Sequence, residues 1–144
     1  VMFIAFAAEE LGLHGSYSQA EKSAANGDKI IMMLNHDMIS YVADASLKPW
    51  RLNIIHYGNS EDLRDDAALL CNAHSTLISY SDNTVNEHSD SYPYYLNGFK
   101  ALFFHQNDIE GTYHTPDDKV SMCNFEYARE VVKVSCALLV NKSY

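Results

Sequence analysis

The run from Val1 to Ala8 is apolar throughout and stops abruptly at two adjacent carboxylates, Glu9 and Glu10, ahead of a turn punctuated by Gly12 and Gly15. This pattern predicts a buried strand that carries acids at its tip. Like charges so close raise each other's pKa unless a cation or a hydrogen-bond network compensates, and a metal ion is the simplest compensator. With Glu10 on such an ion, Glu9 is placed to take a proton from water, which is what a metal-assisted hydrolase requires. Taken alone, the pair also reads as two solvated acids opening a helix, where the dipole favours negative charge.

The rest of the chain supplies further candidates. Tyr17 to Ala25 reads as a short amphipathic helix closed by Asn26-Gly27. Ile30 to Leu34 is a continuous apolar run, as expected of a strand covered on both faces, and Asn35-His36-Asp37 follows it. In open α/β sheets functional groups gather beyond the carboxyl ends of strands, so Glu10 and Asp37 can meet at one ion. His36 is expected to face away. Leu52 to Tyr57 is a further strand, and Asp62 to Leu77 a helix with Ser60 as a possible cap. Its acids, with Glu61, read as a solvated face, and His74 as a surface or structural histidine.

Ser79 to Ser91 reads as a polar loop containing His88-Ser89-Asp90. Tyr92, Tyr94 and Tyr95 either line an apolar pocket or pack as a cluster beneath that loop. Ala101 to Phe104 is the last strand, and residues 105–112 form a loop toward Tyr113-His114-Thr115-Pro116-Asp117-Asp118. Pro116 keeps this segment extended, so that His114 projects an imidazole toward the carboxylates, a donor mixture that suits zinc. Phe125 to Asn141 is the clearest helix, with Ala128, Val131, Val132, Ser135, Leu138 and Leu139 on its packing face.

The chain has 144 residues, 47% of them hydrophobic, with no apolar run long enough to span a bilayer, so one soluble domain with a real core is expected. A net charge of −9 disfavours nucleic acid and anionic membrane as partners and suits a site that concentrates cations. Cys71, Cys123 and Cys136 are widely spaced and odd in number, and make neither a zinc-finger pattern nor a full disulfide framework. No signal peptide is visible, because Val1 enters an apolar run at once, and the chain looks cut from something longer.

Three ordered segments carry a resemblance. Ala-Ala-Glu-Glu-Leu-Gly-Leu-His-Gly-Ser at 7–16, Met-Leu-Asn-His-Asp-Met-Ile-Ser at 33–40 and Tyr-His-Thr-Pro-Asp-Asp at 113–118 resemble signature segments of the M28 family of zinc aminopeptidases. The resemblance implies Glu9 as general base, and Glu10, Asp37 and His114 as zinc ligands. Asp90 reads as a loop-ordering or substrate-side acid near the site and Tyr113 as a substrate-side residue, and the resemblance implies peptide or protein N-termini as substrates and inclines toward an exported protein. The family carries two zinc ions and has a further His and a bridging Asp on segments before its Glu-Glu strand. This chain begins at that strand, so at most one well-formed zinc site and little turnover are expected. Glutaminyl cyclases share the fold and ligand pattern, and a non-catalytic binding or assembly domain is a third reading.

The alternation of elements predicts a three-layer α/β/α sandwich with a mostly parallel or mixed sheet, residues 1–144 forming part of an M28-type catalytic domain without the family's N-terminal strands and helices. A sheet edge left open is expected to invite self-association.

Overall fold

The computed structural model describes residues 1–109 and 111–143. Apolar runs bounded by turn residues form four strands, β1 (Met33–His36), β2 (Arg51–His56), β3 (Ile78–Tyr80) and β4 (Ala101–Gln106). Their order is β1-β4-β2-β3. β1 runs parallel to β4 and β2 parallel to β3, while β2 and β4 are antiparallel, so the sheet is mixed as the alternation predicts. The helices are α1 (His14–Asn26), α2 (Glu61–His74), α3 (Ser91–Leu96) and α4 (Phe125–Asn141).

Alternation along the central strands sorts these helices onto two faces. Leu52 and Ile54 of β2 and Leu102 and Phe104 of β4 point to one side, where Leu63, Ala67 and Cys71 of α2 and Tyr127, Val131, Val134 and Leu138 of α4 close over them. Ala101 points to the other side and packs with Tyr57, Ala20 of α1 and Tyr94 of α3. Three layers result. Each large side chain buried in this way stabilises the fold by roughly 1.5–3 kcal/mol, and the first of the two clusters is much the larger.

Several elements depart from the sequence-based expectation. Residues 1–8 are not a strand. Val1, Met2 and Phe3 are 89%, 76% and 89% exposed, and only Phe6 turns inward, edge-on to Tyr94 with ring centroids 6.0 Å apart. A strand needs a neighbour to take its N–H and C=O groups. Here β1 pairs with β4 on one side, and on the other a groove of about 1150 Å³ separates it from residues 1–6. β1 also begins three residues later than Ile30, and Ile31 is 67% exposed.

The short β3 falls at the start of the stretch expected as loop, where Ile78 to Tyr80 pair with Arg51 to Asn53. β4 extends two residues past Phe104, and the loop expected over 105–112 includes Glu110, which lies outside the described residues. Ser60 does not cap α2 with its side chain. Its hydroxyl donates to Asn59 Oδ1 at 2.6 Å and accepts from the Ala101 N–H at 3.0 Å, tying the start of α2 to β4.

α4 has the expected ends, but its packing face is turned by about one residue: Val132 is 49% exposed while Tyr127, Glu130 and Val134 are buried. Two polar anchors cause the turn. The Tyr127 hydroxyl donates to the Arg51 carbonyl at 2.8 Å, and Glu130 accepts from the Thr76 N–H at 3.0 Å. The tyrosines after Asp90 form the packed cluster, with Tyr57 and Tyr95 stacked at 4.7 Å.

Candidate active site

Glu9 and Glu10 lie on a turn that α1 holds by its first backbone groups. The Glu9 carbonyl accepts the N–H groups of Gly12 and Leu13 at 3.0 and 2.8 Å, and the Ala7 carbonyl accepts that of Gly15 at 3.0 Å. Gly15 is required here for space: a Cβ on it would stand 2.5 Å from the Ala7 carbonyl oxygen. The acids are therefore delivered by a tight turn packed on a helix start, and not by a strand tip.

Asp37 follows β1 directly, as the spacing predicts. Its Oδ2 accepts from the Ser89 hydroxyl at 2.7 Å, and that oxygen in turn accepts from Asn35 Nδ2 at 2.7 Å. Asn35 and Ser89 are buried, so this chain of bonds fixes the carboxylate from beneath. Sequence reasoning passed over both residues. The signal available was the alternation in Asn35-His36-Asp37, which sends residues 35 and 37 to the same face.

His114 arrives from the loop after β4 and donates from Nε2 to Glu10 Oε1 at 2.8 Å. Both side chains are more than half exposed, so the ion pair itself contributes little stability. Tyr113 stacks on the imidazole, with ring centroids 3.8 Å apart, and so braces His114. Asp90 occupies the N-cap position of α3 but makes no side-chain cap bond there. It is 8% exposed, and its Oδ1 has no partner among the described residues. Burial raises its pKa, the Ser16 hydroxyl acts against that, and the Asp37 charge adds to it.

Electrostatics show how near these groups stand. The Glu9 carboxyl is held above its usual value, first by partial burial and then by the charges of Asp37, Glu10 and Asp90, while His114 pulls it the other way. Backbone strain gathers in the same place. Among the described residues, the non-glycine positions with positive φ are Ala8 (57°), Leu13 (59°), Met38 (53°) and His114 (58°). One is a site residue, two adjoin Glu9 or Asp37, and the fourth closes the Glu9 turn. Such conformations are costly and persist where the surroundings enforce them, typically at functional sites.

Glu10, Asp37, Asp90 and His114 thus stand within electrostatic reach of Glu9, the five residues coming from four separated parts of the chain. His36 points away: its Nε2 meets Ser135 Oγ at 2.6 Å on the α4 side. His74 and His88 are exposed and contribute nothing. Carboxylates with one imidazole are the donor set of zinc, and the unpartnered Asp90 oxygen and the raised Glu9 pKa both mark a place short of positive charge. Even so, no group of three His, Cys, Asp or Glu residues among those described stands close enough to hold one ion. The donor types fit zinc, but the ligand shell is not assembled.

The acids and the imidazole thus gather beyond the carboxyl ends of β1 and β4, where open α/β sheets place their functional groups. Residues 1–139 match the family model for peptidase family M28, and the chain belongs to that family. It is similar to a probable leucine aminopeptidase of Arthroderma otae, 26% identical over 132 residues that cover 90% of this chain and 35% of that protein. Its fold is similar to that of the LapA aminopeptidase of Legionella pneumophila, with a TM-score of 0.85 and 22% identity over 96% of this chain and 38% of that one. It is also similar to a zinc aminopeptidase from Bacillus subtilis, with a TM-score of 0.75 and 21% identity over 96% and 34%. The chain spans about a third of the length of the curated relatives it matches.

Proposed function

We propose that these residues form part of the catalytic domain of a zinc-dependent aminopeptidase, with Glu9 as general base and Glu10, Asp37 and His114 as the residues that would hold zinc. The observation that carries this reading is the convergence of Glu10 and His114, 104 positions apart in the chain, on a 2.8 Å contact beside a Glu9 whose proton affinity partial burial and then its acidic neighbours raise. Zinc, when bound, would supply Lewis-acid polarisation of the scissile carbonyl.

The residues' own contributions follow from their placement. A general base works best with a pKa near the working pH, and partial burial together with Asp37, Glu10 and Asp90 moves Glu9 in that direction. Glu9 accepts a proton from the attacking water and returns it to the leaving amine. Ser89 and Asn35 hold Asp37 in one orientation, and Tyr113 holds the His114 ring. Asp90, buried with one oxygen unpartnered, is the substrate-side acid of this reading. The substrates would be peptides with a free N-terminus.

The test is zinc titration of the purified chain by calorimetry, followed by an assay with leucine p-nitroanilide. Binding that weakens at least tenfold in both Glu10→Ala and His114→Ala is the expected result. Glu9→Gln is expected to bind zinc as the parent does and to lose whatever turnover the parent shows. Zinc affinity unchanged by either ligand substitution would remove the assignment.

A further inference from the structure

Leu102, Phe104 and Gln106 follow one another along the α4 side of β4, and this row changes from apolar to polar at its last member although Gln106 is only 1% exposed. A buried amide persists where it has groups to satisfy. Gln106 Oε1 accepts two consecutive backbone N–H groups, from Ser40 at 3.2 Å and from Tyr41 at 2.8 Å. Its own backbone N–H donates to the Met38 carbonyl at 2.8 Å. Two residues on, Asp108 Oδ2 accepts the Ala43 N–H at 2.9 Å. The end of β4 therefore grips the segment that follows Asp37 at residues 38, 40, 41 and 43.

We propose that Gln106 is a positioning residue for the site, fixing the backbone on which Asp37 stands relative to the segment that bears His114. This role rests on Asp37 and His114 being zinc residues, as proposed above. Three features favour it. Met38, next to Asp37, has a φ of 53°, a conformation that persists only where its surroundings enforce it. Gln106 holds the chain just after that bend, while the Phe104 carbonyl receives the Asp37 N–H just before it. Second, Ser89 orients the Asp37 carboxylate but leaves the backbone beneath it to another support, so the two act on different parts of one residue. Third, Gln106 closes β4 only eight positions before His114. One buried side chain thereby ties the segment after Asp37 to the strand from which the His114 segment departs.

Gln106→Met tests this, because methionine is similar in length and has no acceptor oxygen. Zinc titration of the purified chain by calorimetry is expected to show affinity weakened at least tenfold in Gln106→Met. Gln106→Glu, whose carboxyl offers an acceptor at the same place, is expected to stay within about threefold of the parent. In the zinc-free chain, amide exchange at Ser40 and Tyr41 is expected to quicken at least tenfold in Gln106→Met. Val131→Ala, fully buried under α4, is expected to lower the melting temperature and leave zinc affinity unchanged. With Asp37→Ala losing affinity, a Gln106→Met variant that keeps it, a Gln106→Glu variant as weak as Gln106→Met, or an equal loss in Val131→Ala would overturn the positioning role and leave the ligand assignment standing. Affinity kept in Asp37→Ala, or no zinc binding by the parent, would instead remove the ligand assignment and the role of Gln106 with it.

Discussion

Among the described residues, the acid with the most strongly lowered pKa lies away from the site. Glu130 accepts from the Thr76 N–H and from Lys133 Nζ, with Arg129 alongside at 3.3 Å. The Lys133 hydrogen bond is the largest cause of a pKa pulled down to about 2. The carboxylate is covered by two long, exposed side chains and not by apolar core, which keeps the pair partly screened. Because the folded-state pKa is depressed, its stabilisation is complete above the ordinary carboxylate range and is lost as pH falls from about 4.5 toward 2. Glu130→Ala leaves the Thr76 N–H without its acceptor and is expected to cost about 1–2 kcal/mol in urea unfolding at pH 7, with less difference at pH 2. His36 has a dependence of the same sign in a higher pH window. Ser135 commits its one proton to the Val131 carbonyl, so His36 Nε2 must donate, and partial burial holds the ring below the usual histidine pKa. A histidine with a depressed pKa loses stability as pH drops below about 6.5, because the unfolded chain then takes up a proton that the folded chain resists. His36→Gln is expected to flatten thermal stability between pH 5 and 7.

At the scale of elements, the turn bearing Glu9 and Glu10 depends on the approach of α1 to residue 7. Gly15→Ala pushes a methyl group into the Ala7 backbone and is expected to lower stability by about 1–3 kcal/mol and to loosen zinc binding as well. A substitution that left both untouched would show that the helix start does not set the position of the acids. The helices were the legible part of the sequence. α4 was readable to its end residues because a 17-residue amphipathic period tolerates little ambiguity. Its rotation was not, since it follows from Tyr127 and Glu130 bonding to β2 and to the residue before Leu77. The β3 strand was hidden because three residues carry too little pattern to stand out from a polar stretch. Val1 to Ala8 misled for another reason. Composition reports a strand's readiness to pair, but pairing depends on a neighbour, and β1 stands across a groove. The approach of His114 to Glu10 is what the three ordered segments lead one to expect. The support from Asn35 and Ser89 could not be read there, because residues more than fifty apart meet only after the sheet has formed.

At the scale of the whole molecule, the strand order has a consequence for how the chain is made. β4, formed from Ala101–Gln106, is the last strand in sequence yet lies between β1 and β2, the strands made before it. Until the ribosome has released residue 106, two edges that belong on either side of a central strand have nothing between them. The emerging chain carries both uncovered until β4 closes the sheet, a late long-range pairing of the kind that slows folding.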